Sequence, residues 1–242
     1  MKRILKAGSP KQYSDWVKNM KGQENEHYHS LQNPEKGILH DTLLSEQGSL
    51  CGYTMKRISR TTSHIEHIKP EVVCRAEQKG LDLDYVNLIA CYPKEGMKAS
   101  CRYGAQEKGS WWDDNGRDFI SPLLSNCESV FTFNIKGEIG CVANNLRAKK
   151  TIEVLKLDNK ELTEDRRRAI DEFLYGENLN SPISKGEATR IKSEVEKRKN
   201  DGSFVEYCVT IKHALGHYIE LLDKNSKQKK FASKSIRKQK RK

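Results

Sequence analysis

His64-Ile65-Glu66-His67-Ile68-Lys69-Pro70 and, downstream, Asp84-Tyr85-Val86-Asn87-Leu88-Ile89-Ala90-Cys91 carry the densest set of chemically capable side chains in the sequence. Across residues 50–88 short apolar pieces alternate with polar turns, a pattern too broken for a long helix and suited to a small hairpin. Phosphodiester hydrolysis needs a base near neutrality, a hard cation for the charge on phosphate and leaving oxygen, and a support for the base. The imidazole of His67 meets the first need, since its unperturbed pKa is near 6.5. The carboxylate of Glu66 suits Mg²⁺ or Mn²⁺, which prefer oxygen ligands. Neighbours in a regular strand point to opposite sides, so bringing Glu66 and His67 to one point requires a bend or bulge, whereas His64 shares the side of Glu66.

Outward from this centre, residues 10–47 read as polar helix, with one apolar patch at Trp16, Val17 and Met20 and another at Leu39, Leu43 and Leu44 before the stop at Gly48. Residues 93–118, rich in Gly, Lys and Asp, read as a long functional loop. Its Trp111-Trp112 pair suits base stacking or the capping of a hydrophobic edge. Phe131, Phe133 and Ile135 alternate ahead of Lys136-Gly137, a strand followed by a turn. Further on, Thr163 is placed to cap a helix through Arg166, Ile170 and Leu174 to Gly176. Arg166-Arg167-Arg168 reads as helix-face charge. Ser184 with Glu187 and Ser203 with Glu206 both have capping-box spacing. Phe204, Cys208, Ile211, Leu215, Ile219 and Leu222 form one apolar stripe, which leaves His213 and His217 on a solvated face.

The 242 residues carry a net charge of +11, yet residues 224–242 contain ten Lys or Arg and no acid, so the rest of the chain stands at +1. A basic arm of this kind, including Lys229, Lys230, Arg237 and Lys238, suits phosphate contact through counterion release, as does Lys69 beside the centre. No apolar run approaches the roughly 20 residues that span a bilayer, and residues 1–6 lack the apolar stretch of a secretory signal. The expected location is the cytoplasm, where the seven cysteines stay reduced or bind metal.

The order Glu66-His67-Ile68-Lys69-Pro70, then Asn87-Leu88 and Cys91, resembles the signature of the HNH (ββα-metal) endonucleases. The resemblance implies His67 as general base, Glu66 as ligand to a single Mg²⁺ or Mn²⁺, and Asn87 as the residue that fixes the loop aiming the base. The family's third position falls in Cys101-Arg102-Tyr103-Gly104-Ala105-Gln106-Glu107-Lys108-Gly109, which has no His or Asn, so Gln106, Glu107 or His64 would have to serve. Many members carry structural zinc on two Cys-x-x-Cys pairs. Here Thr54 stands where a partner for Cys51 belongs, and Cys91 and Cys101 form a loose second pair, a degenerate site.

Leu50-Cys51-Gly52-Tyr53, Leu83-Asp84-Tyr85-Val86-Asn87-Leu88, Ser121-Pro122-Leu123 and Thr151-Ile152-Glu153-Val154-Leu155-Lys156-Leu157 with Arg166 extend the similarity to the PtuB-like branch of bacterial HNH nucleases, found in Septu and retron-associated anti-phage systems. That branch implies a PtuA-like ABC-type ATPase as partner, DNA as substrate and no membrane association. The expected fold is α+β. It comprises an N-terminal helical arm (1–47), an HNH domain (48–160) with its finger over about 48–110, C-terminal helices (161–223) and a disordered basic tail (224–242). A non-catalytic DNA-binding scaffold with a degenerate site is the alternative.

Overall fold

A computed structural model describes residues 1–97, 101–176 and 181–239. The fold is α+β, with helices around two small antiparallel sheets. Strand β1 (His64–His67) pairs with β2 (Leu88–Cys91) in the register His64 to Cys91 and His67 to Leu88. Strand β3 (Phe131–Phe133) pairs with β4 (Ile139–Cys141). The helices are α1 (Lys11–Met20), α2 (Glu35–Glu46), α3 (Glu71–Glu77), α4 (Ala105–Lys108), α5 (Leu146–Leu155), α6 (Lys160–Tyr175), α7 (Lys185–Glu194) and α8 (Cys208–Gln239).

One contiguous core, from Ile4 and Tyr13 through Leu39, Tyr53, Leu88 and Phe133 to Leu215, joins these elements. A two-stranded sheet leaves unpaired backbone groups at its edges, which are costly when buried. At β2 the buried side chain of Gln47 removes that cost. Its Oε1 accepts from Ala90 N–H at 2.7 Å and its Nε2 donates to Ala90 O at 2.8 Å, so one amide acts as a third strand. The N-terminal segment closes over the same strand, with Lys6 Nζ donating to Leu88 O at 2.6 Å.

The expected hairpin over 50–88 is in fact the β1–β2 pair, with residues 68–87 forming the connection that holds α3. The strand-and-turn reading of Phe131 and Phe133 agrees with β3–β4, although Ile135 lies in the turn. Gly137 has φ +78° there, and a Cβ would stand 2.4 Å from Thr163 O, so the turn can lie on α6 only with glycine.

Several expectations are corrected. Helix α6 begins a turn before Thr163, because the Asn159 side chain accepts from Glu161 N–H and caps it there. Ser184 and Glu187 do form a capping box, whereas the Glu206 carboxylate accepts from Arg57 N–H and α8 begins at Cys208. Arg166 is not a surface charge. It is buried, donates to Gly137 O and Leu157 O, and lies over the Phe133 ring at 5.5 Å. Trp111 and Trp112 both lie against Phe119, the edge-capping reading of the pair, whereas His213 is half-buried and edge-on to Phe133 at 5.7 Å, and His217 is exposed as expected. Residues 224–239 continue α8 as helix where a disordered tail was expected, and residues 240–242 of that tail lie outside the described residues. No helix among the described residues is long and apolar enough to cross a membrane.

Candidate active site around His67

His67 ends β1 and is buried. Its Nε2 lies 2.8 Å from Asp82 O. A carbonyl can only accept, so Nε2 carries the proton and a neutral ring keeps its lone pair on Nδ1. Burial lowers the pKa of His67, and the Asp82 carbonyl with the charges of Glu71 and Glu66 only partly offsets this, so the ring is neutral at pH 7. Tyr28 stacks edge-on against the imidazole, with centroids 4.7 Å apart, and its own N–H donates to Asp82 Oδ2 at 2.7 Å.

Asn87 grips the chain just beyond His67. Its Oδ1 accepts from Lys69 N–H at 2.7 Å, its Nδ2 donates to Lys69 O at 2.9 Å, and its own carbonyl accepts from Ile68 N–H. The backbone leaving β1 is thereby fixed in both directions. The Lys69 ammonium pairs with Glu77.

Glu66 points into the same cavity and both its oxygens have neighbours. Lys108 Nζ lies 3.1 Å from Oε1, and His64 Nε2 lies 3.5 Å from Oε2. Burial alone would raise the Glu66 pKa, but the hydrogen bond from His64 and the charge of Lys108 outweigh it and hold the carboxyl below its usual value. Lys108 is wholly buried and also donates to His67 O at 3.1 Å. It arrives on α4, whose start is tied to α5 by Gly104 N–H donating to Leu155 O. The segment where the family's third position falls therefore delivers an ammonium. Gln106 is half-buried and Glu107 exposed, and neither lines the cavity.

That cavity, of about 460 Å³, is lined by Tyr28, His64, Glu66, His67, Glu71 and Glu95 among others, so Glu66 and His67 border one space. Sequence reading missed Tyr28, Glu71, Glu95 and Lys108; only the Lys108-Gly109 pair inside the family's third segment offered a signal.

The donor set suits a hard divalent ion. Glu66, Glu71 and Glu95 supply carboxylates to one cavity, and Glu71 Oε1 is buried with no hydrogen bond, His29 Nε2 lying 3.0 Å away. Among the described residues no three His, Cys, Asp or Glu side chains converge as a ligand cluster. Mg²⁺ commonly takes only one or two carboxylates and fills its shell with water and phosphate, so Glu66 with Glu71 or Glu95 could hold it.

Cys51, Cys91 and Cys101 are all buried free thiols. The Cys51 pKa is set against burial by contacts with Cys91 and Thr54, and it falls to about 6. Cys101 Sγ turns instead to Tyr103 O at 3.3 Å. Lys229, Lys230, Arg237 and Lys238 lie on α8, and their side chains are outside the described part.

No protein-family model matches the chain. It is 30% identical over 177 residues, 69% of this chain and 81% of the other, to a Vibrio cholerae serotype O1 biovar El Tor protein named "retron Vc95 putative HNH endonuclease". At that identity and coverage, the chain belongs to the HNH endonuclease family.

Proposed function

We propose that this chain is a metal-dependent DNA endonuclease, with β1, β2 and α4 as its ββα-metal finger and His67 as general base. The observation that carries the reading is the carbonyl on Nε2, which leaves Nδ1 of a neutral imidazole free to take a proton. Water approaching a phosphodiester in the cavity loses its proton to Nδ1 as its oxygen attacks phosphorus, the P–O bond to the departing sugar oxygen breaks, and that oxygen takes a proton from solvent water. Asn87 holds the base through the chain at Lys69. Glu66, with Glu71 or Glu95, would hold Mg²⁺ or Mn²⁺, which when bound offsets charge on the phosphate and leaving oxygen.

The relative's retron name supports a role in anti-phage defence. The PtuB-like resemblance adds an ABC-type ATPase as the partner that restrains or positions the nuclease. One observation favours a second reading, a non-catalytic DNA-binding scaffold: Lys108 already occupies Glu66.

A plasmid-relaxation assay with Mg²⁺ or Mn²⁺, with and without the candidate ATPase, separates the two. The nuclease reading expects nicked or linear product from wild type and none from His67→Ala. Intact plasmid under every condition, with DNA binding equal in both proteins, supports the scaffold.

A further inference from the structure

Beside the catalytic cavity lies a second, of about 380 Å³, lined by Asn33, Lys36, Arg60, Thr61, Ser63 and Lys94, with His40 and Gly37 at its wall. Lys36, His64, Ile65 and Glu95 line both cavities, so the two adjoin. Their chemistry differs. The catalytic cavity carries three carboxylates, whereas the second carries three cations, two hydroxyls and an amide, with Glu95 at the shared wall as its one acid.

Arg60 is placed against α2 by a glycine and an acid. A Cβ at Gly37 would stand 2.0 Å from Arg60 Nη2, so the guanidinium reaches this place only because α2 has glycine there. Asp41 also holds Arg60, at 3.1 Å. The Lys36 ammonium lies over the Tyr28 ring, 5.3 Å from its centroid, and the same ring meets the His67 imidazole edge-on. Lys94 is exposed at the mouth of the cavity.

We infer that this second cavity is a phosphate subsite that takes a backbone phosphodiester of the DNA strand next to the one being cut, through Lys36, Arg60 and Lys94. The choice of DNA rests on the nuclease reading of His67; the anion chemistry does not. A strand running across both cavities puts one phosphate among the cations and the next against His67 and Glu66. The subsite sets the register of the strand, because phosphate contacts position nucleic acid without reading its sequence.

The test uses the full chain as His67→Ala, so that binding is measured without cleavage, and a labelled DNA duplex read by fluorescence anisotropy over a salt series. Lys94→Met and Lys36→Met/Lys94→Met are compared with the parent, with thermal midpoints as the folding control. The subsite expects the double variant to bind about 10-fold or more weakly near 0.1 M salt, and the salt slope to fall by about one for each lysine removed. Lys94→Arg keeps the slope. Unchanged affinity and slope in folded variants overturn the subsite. A wild-type chain that never cleaves, but binds DNA with a lysine-dependent slope, overturns the nuclease reading and leaves the subsite standing.

Discussion

His67 and Lys108 define the site at the scale of single residues. Because burial holds the His67 pKa below 6.5, the proposed base stays neutral into mild acid and, on that proposal, should stay active there. The active form is the deprotonated one, so the cleavage rate rises with pH through the pKa and flattens above it. Its acid limb should lie below pH 6.5; a limb centred above pH 7 would contradict the buried neutral imidazole. Lys108 is the cation that faces the half-buried Glu66 carboxylate. Lys108→Met leaves that carboxylate with His64 alone and should cost on the order of 3 kcal/mol in urea unfolding. Adding Glu66→Gln should recover part of the loss, since neither partner is then charged. A Lys108→Met protein as stable as wild type would mean that the ion pair carries no weight.

At the scale of elements, β2 depends on a side chain for its outer edge. Gln47→Leu removes both contacts to Ala90 and leaves its buried N–H unpaired, at about 1–3 kcal/mol, while Ala90 O keeps the Gly52 N–H as donor. The loss should appear as faster amide exchange along β1 and β2, with α7 unaffected; uniform or absent change would contradict the capping role.

Much of this scale was legible in sequence. The alternation at Phe131 and Phe133 and the Ser184–Glu187 spacing each encode local structure, and local structure followed. That Glu66, His67 and Asn87 come close together was legible because a short motif joins them. Arg166 was not, because nothing in a run of three arginines shows which one faces the core. Nor was the partner of Glu66, because Lys108 reaches it only through α4 docking on α5. Tyr28 likewise comes to His67 from a segment whose sequence looks like polar helix and turn.

At the scale of the whole molecule, buried histidines make stability depend on pH. Burial is the main cause lowering the His40 pKa to about 4, and burial also lowers those of His67 and His213. A group with a depressed folded-state pKa binds fewer protons folded than unfolded, so acid favours unfolding as pH falls below about 6.5. The carboxyls of Glu66 and Asp165 are also held low and act in the same direction below about pH 4.5. The thermal midpoint should therefore fall by on the order of 5 °C between pH 7.5 and 5. His40→Gln should flatten that dependence. A midpoint that rises toward pH 5 would contradict these burials.

His67 and its surrounding cavity also meet at this scale, since the arm with Tyr28, strand β1 and the residues that follow α4, Gly109 and Ser110, border one space. Single-turnover cleavage of a DNA duplex by His67→Ala, with and without added imidazole, tests the central claim most directly. The account predicts a rate at least about 10²-fold below wild type, and its partial return as imidazole enters the vacated space and takes the proton. Cleavage by His67→Ala at the wild-type rate would contradict it.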